Sequence, residues 1–270
     1  SIASNAEVRD VRDAVERKLI GGVKYRDEVL KIIAKKVKVK KSSDIEFMSF
    51  AKYAKNRFKE DQKRFEEDED PNIAVILAEG GITTSGDEMT SKEICKLIRK
   101  AREEKSVKAV VFRINSPGGS ALASDEIWRE VKLTNKSKPV IVSMGDVAAS
   151  GGYYVAAPAS TIFAEPNTIT GSIGVFGVIP YTGDMLENKL GITFDRITTN
   201  RHSAMTTNRR LTEREMKIIQ EEVDDIYNQF LKRVATGRGL TTEDVNAIAR
   251  GRVWTGRDAK RVGLVDKLGG

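Results

Sequence analysis

Ser150 is the residue whose sequence setting points most directly to chemistry. It follows the apolar segment 139–144 (PVIVSM), which predicts a buried strand that ends at Gly145. Two glycines come directly after the serine, and the apolar residues 153–157 predict the start of a helix. Free N–H groups at a helix N-terminus favour developing negative charge, so Ser150 is a candidate nucleophile beside an oxyanion site. The same small residues are also compatible with tight packing of a helix on a sheet.

Two further glycine-containing turns flank this serine in the sequence. Residues 115–120 (NSPGGS) follow the apolar segment 109–114, which predicts another strand entering a turn whose backbone amides could donate to an oxyanion. Residues 170–175 (TGSIGV) contribute a second hydroxyl, that of Ser172, 22 residues after Ser150. Each segment alone predicts only a turn, and the specific signal is their combination in this order.

The succession NSPGG, GDVAASGGYY and TGSIG resembles the signal peptide peptidase A (protease IV) family, which shares a broad fold group with Clp protease and crotonase. The resemblance covers residues 72–270. It implies an α/β fold of repeated β-β-α units with a mainly parallel sheet, and a serine peptidase with a Ser/Lys dyad. Ser150 then matches the nucleophile, and Ser172 matches the hydroxyl that positions the lysine ammonium. The oxyanion donors match the backbone N–H groups of Gly151 and of Gly118 or Gly119.

The lysine of that dyad is absent from the place where single-domain members of the family carry it. The corresponding stretch, residues 197–205, contains no lysine, and neither does the chain between Lys189 and Lys217. A lysine acts as a general base only when desolvation lowers its pKa. Lys189 and Lys217 lie in amphipathic helical patterns with other charges around them, which predicts solvated side chains.

His202 is the single histidine and stays a weak alternative base. The Clp relatives use a Ser/His/Asp triad, in which a carboxylate orients the histidine. The carboxylates nearest in sequence are Asp184, Glu187 and Asp195. The surroundings of His202 are polar and typical of a loop, which favours a solvated histidine.

Seven positions near the N-terminus align without gaps to positions near the C-terminus, which indicates the tail of an internal repeat. The pairs, all 245 residues apart, are Val8/Val253, Arg12/Arg257, Asp13/Asp258, Ala14/Ala259, Leu19/Leu264, Ile20/Val265 and Val23/Leu268. Long tandem members of the resembled family carry the lysine on an N-terminal half and the serine on a C-terminal half. The resemblance therefore implies a C-terminal half that receives its lysine in cis from a missing N-terminal half, and that is nearly inactive alone.

Three regions follow from this interpretation. We predict that residues 1–54 are the tail of the preceding, truncated repeat with a basic arm. Residues 55–71 are almost continuously charged and predict a linker or an exposed helix. Residues 72–270 form the predicted catalytic domain.

Within the predicted catalytic domain, strand and helix patterns alternate, which is typical of a parallel sheet. Strands are predicted at 73–78, 109–114 and 161–164, and helices at 91–104 and 123–133. A long helix begins with a capping-box spacing at Thr212 and Glu215 and ends by Gly237 or Gly239. Its apolar face, which we assign to scaffold and oligomer contacts, carries Ile219, Val223, Ile226, Phe230 and Val234.

Composition restricts the classes of partner. A chain of 270 residues with 40% hydrophobic residues can bury one sizeable core. The formal net charge of +7 is largely local, because five lysines lie close together near residue 38. This cluster, which alternates with two valines and predicts an edge strand or a short arm, contains Lys35, Lys36, Lys38, Lys40 and Lys41. Aromatic residues are not interleaved with these lysines, so we predict no nucleic-acid partner. Cys95 is the single cysteine, and no Cys/His spacing indicates a metal or another cofactor.

Membrane attachment and assembly rest on the resemblance alone. The sequence contains no apolar run of 18 or more residues. The long members of the family are held by an N-terminal segment on the extracytoplasmic side of the bacterial or archaeal inner membrane. They degrade cleaved signal peptides and other unfolded apolar peptides, and they form homo-oligomers.

Two other functional classes stay open at the level of sequence. A crotonase-type acyl-CoA enzyme would use paired backbone amides to stabilise a thioester enolate, but near NSPGG the only carboxylate candidates for its base are Asp125 and Glu126. A non-catalytic scaffold would keep the serine turn for packing only.

Overall fold

The computed structural model describes residues 11–24, 26–41, 44–49, 72–86, 88–197 and 205–270. The chain divides into two units, residues 1–68 and 69–270, and each is described by itself. The predicted linker at 55–71 and the alternative base His202 lie outside the described residues.

The described part of the first unit contains two helices, α1 (Val11–Glu16) and α2 (Arg26–Val37). The prediction of an edge strand that includes Lys35 and Lys36 is wrong, because both residues belong to the last turn of α2. Positive side chains are favourable there, since they lie beside the partial negative charge of the helix C-terminus. The helix stops where Lys38 adopts a left-handed φ of 61°, and residues 39–41 continue without strand structure.

The second unit is built on a mainly parallel sheet. The strands of this unit are β1 (Asn72–Glu79), β2 (Ile82–Thr83), β3 (Met89–Thr90), β4 (Val107–Ser116), β5 (Val140–Ala149), β6 (Thr161–Ala164), β7 (Ile169–Gly171), β8 (Val253–Thr255) and β9 (Lys267–Leu268). Strands β2 and β3 form a separate two-stranded parallel sheet, and the other strands belong to the main sheet. The main path runs β1-β4-β5-β6-β9, and every pair along it is parallel. Strand β7 pairs parallel with the end of β5 and antiparallel with β8. The predicted α/β class with a mainly parallel sheet is confirmed.

Strand β5 continues beyond the predicted end at Gly145. Its first half pairs with β4 and β6, whereas Val147–Ala149 pair with β7. The register against β4 shifts between Ile114 and Ser116, so the strand changes course before it reaches Ser150. The extra residues belong to the strand because a second partner strand is available to them, which the local sequence does not reveal.

The described part of the second unit contains seven helices, of which those that follow β3, β4 and β5 pack against the sheet. The seven helices are α3 (Ser91–Glu103), α4 (Ala121–Asn135), α5 (Gly151–Ala156), α6 (Gly183–Leu190), α7 (Glu213–Arg238), α8 (Thr242–Ile248) and α9 (Gly256–Arg261). Thr212 and Glu215 form the predicted capping box of α7, and Gly239 ends that helix in a left-handed conformation. Among the described residues, none of the helices has the length and apolar content that a bilayer crossing requires.

Candidate active site

Ser150 lies at a sharp turn between the end of β5 and the start of α5. Its backbone has φ 51° and ψ −120°, a combination that costs a non-glycine residue about 1–3 kcal/mol. The Ser150 N–H donates to the carbonyl oxygen of Gly171 at 2.9 Å, which fixes the turn to the end of β7. The Ser150 hydroxyl makes no capping bond to α5 and has no hydrogen-bond partner in the described part of the chain. This hydroxyl is therefore available to a substrate.

Side chains from neighbouring strands hold the segment that leads to this turn. The Asn115 side-chain oxygen accepts a hydrogen bond from the Val147 N–H at 3.2 Å. The Thr170 hydroxyl donates to the carbonyl oxygen of Ala148 at 2.7 Å and is fully buried. Two of the three motifs from the sequence analysis thus contribute side chains that shape the third.

Gly118 touches the serine turn directly. Its φ of 101° is strained for any residue with a side chain, and an added Cβ would lie 2.6 Å from Gly151 N and 2.9 Å from Ser150 Cβ. The Gly118 N–H donates to the buried Ser116 hydroxyl at 3.1 Å, so it is already committed. Of the two alternatives left by the sequence, Gly119 is therefore the better oxyanion donor.

Gly119 and Gly151 are close neighbours across this junction. A Cβ added to Gly151 would lie 3.2 Å from Gly119 N. Neither backbone N–H has an acceptor among the described residues. Two free N–H groups beside a serine hydroxyl can stabilise the negative oxygen of a tetrahedral intermediate.

Ser172 sits on a second strained turn, with φ 47°. Its N–H donates to the carbonyl oxygen of Arg252 at 2.8 Å, directly after the antiparallel pairing of Gly171 with Val253. A Cβ on Gly171 would lie 2.7 Å from the Trp254 ring, so the glycine admits the indole. The Ser172 hydroxyl, like that of Ser150, has no hydrogen-bond partner in the described part of the chain. Residues 252–254 near the C-terminus thus hold Ser172 in place.

A single cleft of about 1100 Å³ brings the predicted site residues together. Its lining includes Ser150, Ser172, Gly118, Gly119 and Gly151. The carboxyl ends of β4, β5 and β7 meet at this edge of the sheet, which is where parallel α/β sheets place their ligands.

The opposite wall of the cleft was missed at the level of sequence. Helix α7 was assigned to scaffold and oligomer contacts, and Val234 is indeed buried in the core, whereas the buried Phe230 also borders the cleft. Ile219, Val223 and Ile226 are instead half-buried and line the cleft, as does the exposed Phe176. The apolar spacing of α7 was visible in the sequence, but which part of its face meets a cleft depends on the position of the helix in the fold.

No lysine is found among the described residues that line the cleft. Lys189 is exposed on α6 and does not contribute to the wall. Lys217 is 67% exposed on α7, where it lies 3.9 Å from Glu221. Both lysines are solvated, as the sequence patterns predict, and neither has the desolvated setting of a general base.

The carboxylates that a crotonase-type reaction would need are engaged elsewhere. Asp125 accepts hydrogen bonds from Tyr154 Oη at 2.6 Å and from Arg233 Nε at 3.1 Å. Burial, followed by the hydrogen bond to Asp125, raises the pKa of Tyr154 to about 12, so the phenol stays protonated. Glu126 accepts from the Ser91 hydroxyl at 2.5 Å. Both carboxylates belong to the packing between helices.

The remaining candidate chemistry is also structural. Burial, with the negative charge of Glu130 as a second cause, raises the pKa of Cys95 to about 11, so its thiol is protonated and poorly nucleophilic at neutral pH. In the part of the chain that the structure describes, no group of three His, Cys, Asp or Glu side chains is arranged to hold a metal ion.

Comparison with known families agrees with this geometry. Residues 132–270, just over half of the chain, match the family model described as Peptidase family S49. The chain belongs to peptidase family S49. Residues 72–170 of this S49 chain also match the model described as Clp protease. The resemblance drawn from the three turn motifs is thereby confirmed.

Curated relatives of this S49 chain are longer. It is 36% identical over 275 residues to "Serine protease SPPA, chloroplastic" of Arabidopsis thaliana, which covers 98% of this chain and 40% of that protein. It is 43% identical over 204 residues to "Protease 4" of Haemophilus influenzae, which covers 74% of this chain and 33% of that protein. The match thus spans between a third and two fifths of the length of these relatives.

A solved structure supports the fold of the S49 chain. A mutant of ClpP1 from Listeria monocytogenes superposes with a TM-score of 0.50 at 18% sequence identity. The match covers 72% of this chain and 90% of that one. At this identity the similarity concerns the fold alone, which is the predicted Clp protease-like fold.

Proposed function

We propose that this chain provides the nucleophile and the oxyanion hole of a serine endopeptidase. The observation that carries the proposal is the shared cleft, in which the hydroxyls of Ser150 and Ser172 are both without a partner among the described residues. Both sit on strained turns beside two free backbone N–H groups. Strain of this kind persists at sites where the surrounding structure holds a group ready for reaction.

The proposed reaction is acyl transfer to Ser150. The Ser150 Oγ attacks the scissile carbonyl carbon, a lysine amine accepts the hydroxyl proton, and the Gly119 and Gly151 N–H groups stabilise the oxyanion. The lysine ammonium then protonates the leaving amine as the C–N bond breaks. Water hydrolyses the acyl-enzyme by the same steps. Ser172 hydrogen-bonds the lysine and holds it against Ser150.

The lysine itself is proposed to come in cis from an N-terminal half that precedes this chain. Two observations support this source. No lysine lines the cleft among the described residues, and the curated relatives continue well beyond the matched region. An approaching lysine would be desolvated by the apolar wall of α7, which lowers its pKa toward the range of a useful base.

The proposed substrates are cleaved signal peptides and other unfolded apolar peptides. The half-buried apolar residues Val175, Ile219, Val223 and Ile226 of the cleft support this preference. An extended peptide would lie along Gly118 and Gly119 as an added strand. We further propose a homo-oligomer that is associated, through a segment outside the described residues, with the extracytoplasmic side of the inner membrane.

A serine-directed phosphonate probe tests the nucleophile. On a version of the chain extended by the proposed N-terminal half, we expect stoichiometric labelling at Ser150 and none in Ser150→Ala. Ser137→Ala is the control, because Ser137 caps the end of α4 with a bond to the Thr134 carbonyl oxygen and does not line the cleft. Labelling that persists in Ser150→Ala would assign the nucleophile to another residue.

A further inference from the structure

A second cavity, remote from Ser150, lies between the C-terminal ends of α4 and α7. Its volume is about 460 Å³. We call it the Trp128 cavity, and the lining residues that matter here are Trp128, Lys132, Asn135, Arg233, Arg238 and Asp266. None of its lining residues is shared with the cleft that contains Ser150. The proposed peptidase activity makes no use of it.

Two residues that line the Trp128 cavity each carry a buried N–H donor that has no acceptor among the described residues. One is the indole Nε1 of Trp128, a residue that is 3% exposed. The other is Nε of Arg238, whose side chain is 7% exposed and whose Nη2 pairs with Asp266. Buried donors are paired in the great majority of cases, so two orphans at one cavity indicate that an acceptor belongs there.

The charges at the Trp128 cavity favour an anionic acceptor. Lys132 Nζ lies 4.7 Å from the centre of the Trp128 ring, and the Arg233 guanidinium lies 3.7 Å from it. Lys132 has no carboxylate partner within the described residues. Asp266 forms an ion pair with Arg238 and neutralises its charge. Asp125, which does not line the cavity, does the same for Arg233. The net charge around the cavity is therefore positive, and it comes from Lys132.

Two of the neutral polar side chains of the Trp128 cavity, Asn135 and Ser160, are already engaged. The Asn135 side chain donates to the Pro158 carbonyl oxygen at 2.9 Å and accepts from the Val140 N–H at 3.0 Å. The Ser160 hydroxyl donates to the Val140 carbonyl oxygen at 2.8 Å. The groups left to recognise a ligand are the cationic side chains, the Trp128 indole N–H and the Thr236 hydroxyl, and each of them can donate a hydrogen bond.

We propose that the Trp128 cavity binds a phosphate ester. A phosphate group presents several acceptor oxygens at once, which suits an ammonium, two guanidinium groups and an indole N–H. The cavity is within the size range of small-ligand pockets and is larger than a bare phosphate needs, so it accommodates a small organic group on the ester. Such an ester comes either from a soluble metabolite or from the headgroup of a phospholipid.

Calorimetric titration at constant ionic strength tests this site. The probes are glycerol 3-phosphate and inorganic phosphate, and the variants are Lys132→Ala and Trp128→Phe. We expect glycerol 3-phosphate to bind, and each variant to weaken its binding by about tenfold or more, because a charge-assisted or buried hydrogen bond is lost. Lys136→Ala is the matched control, since this exposed lysine caps the same helix outside the cavity and should change binding less than about twofold.

Vesicles distinguish the two sources of the ester. A lipid headgroup is the ligand if the protein binds phosphatidylglycerol vesicles but not phosphatidylcholine vesicles. Lys132→Ala should then weaken the vesicle binding, and Lys136→Ala should not. Binding of glycerol 3-phosphate without such vesicle binding would assign the site to a soluble ester. If neither probe binds, or if Lys132→Ala and Lys136→Ala behave alike, the proposal is wrong. Should Trp128→Phe fail to fold, the comparison of the two lysine variants still decides.

Discussion

At the scale of single residues, Ser150 and Ser172 share an uncommon backbone conformation. Their φ angles of 51° and 47° lie in the left-handed region, which residues other than Gly, Asn and Asp rarely occupy. Each is held there by a backbone hydrogen bond from its own N–H, to Gly171 O for the first and to Arg252 O for the second. The conformations are therefore imposed by neighbouring strands, and both hydroxyls are presented to one cleft.

Gly118→Ala is expected to lower activity strongly by filling the space beside the proposed nucleophile Ser150. The new Cβ would lie 2.6 Å from Gly151 N and would displace the oxyanion donor, which we expect to lower kcat/KM by roughly 10²-fold or more. The measurement is peptide-ester hydrolysis by the extended chain.

Gly80→Ala is the matched control for this variant. Gly80 has φ 95°, close to the 101° of Gly118, but a Cβ there meets nothing within 4 Å. It should therefore cost about 1–2 kcal/mol of stability through backbone strain and leave turnover intact. Equal turnover of the two variants would exclude the proposed oxyanion geometry.

Ser172→Ala is expected to lower kcat by roughly 10²-fold or more, because the proposed lysine would lose the hydroxyl that we propose holds it against Ser150. The unfolding midpoint should change little, since the Ser172 hydroxyl has no partner in the described structure. Kinetics and thermal unfolding of the same preparation check both statements. A variant that keeps wild-type kcat would show that Ser172 has no part in the dyad.

At the scale of elements, the sequence predicted the helices and strands well where the local signal is strong. Strand β6 and helix α3 follow their predicted bounds within a residue, because periodicity and a Thr90 cap define them locally. The extension of β5 to Ala149 was not predictable, since it depends on the partner strand β7. The position of Ile219 in the cleft wall also depends on the fold. An apolar residue gives the same sequence pattern whether its helix faces the core or a substrate groove.

The entry to helix α7 is held by a buried ion pair. Arg209 donates two hydrogen bonds to the Glu215 carboxylate, at 2.7 and 2.5 Å, and the Thr212 N–H donates a third at 2.9 Å. These bonds, with that from Arg209 the largest cause, lower the pKa of Glu215 to about 2 from an ordinary 4.5. The ionised carboxylate thus stabilises the folded state at neutral pH.

Glu215→Gln is expected to lower the thermal unfolding midpoint at pH 7. Since the folded pKa is below the unfolded one, this stabilisation is complete above about pH 4.5 and is lost as the pH falls toward 2. The gap between wild type and variant should narrow over that range. Glu221→Gln is the control, because its exposed partner Lys217 lies 3.9 Å away and such pairs contribute little. Equal midpoints of Glu215→Gln and Glu221→Gln at pH 7 would contradict the role of the pair.

At the scale of the whole molecule, three turns that are far apart in sequence meet at one edge of a parallel sheet. Ser150, Ser172 and Gly151 were predicted because their motifs resemble a family, not because periodicity requires them to meet. The choice of Gly119 over Gly118 needed the bond from the Gly118 N–H to Ser116, which only the folded chain reveals. The Trp128 cavity was unpredictable for a similar reason, since Lys132 on α4 and the arginines Arg233 and Arg238 on α7 are more than 100 residues apart in sequence.

The most direct test of the split Ser/Lys dyad is hydrolysis of an apolar peptide ester. Three proteins are compared: this chain alone, the chain extended N-terminally by the proposed preceding half, and the extended chain with Ser150→Ala. We predict turnover by the extended chain only, and its loss in Ser150→Ala. Comparable turnover by the chain alone would contradict the proposal, because the general base would then lie within these residues, with His202, Lys189 and Lys217 as the ones to replace.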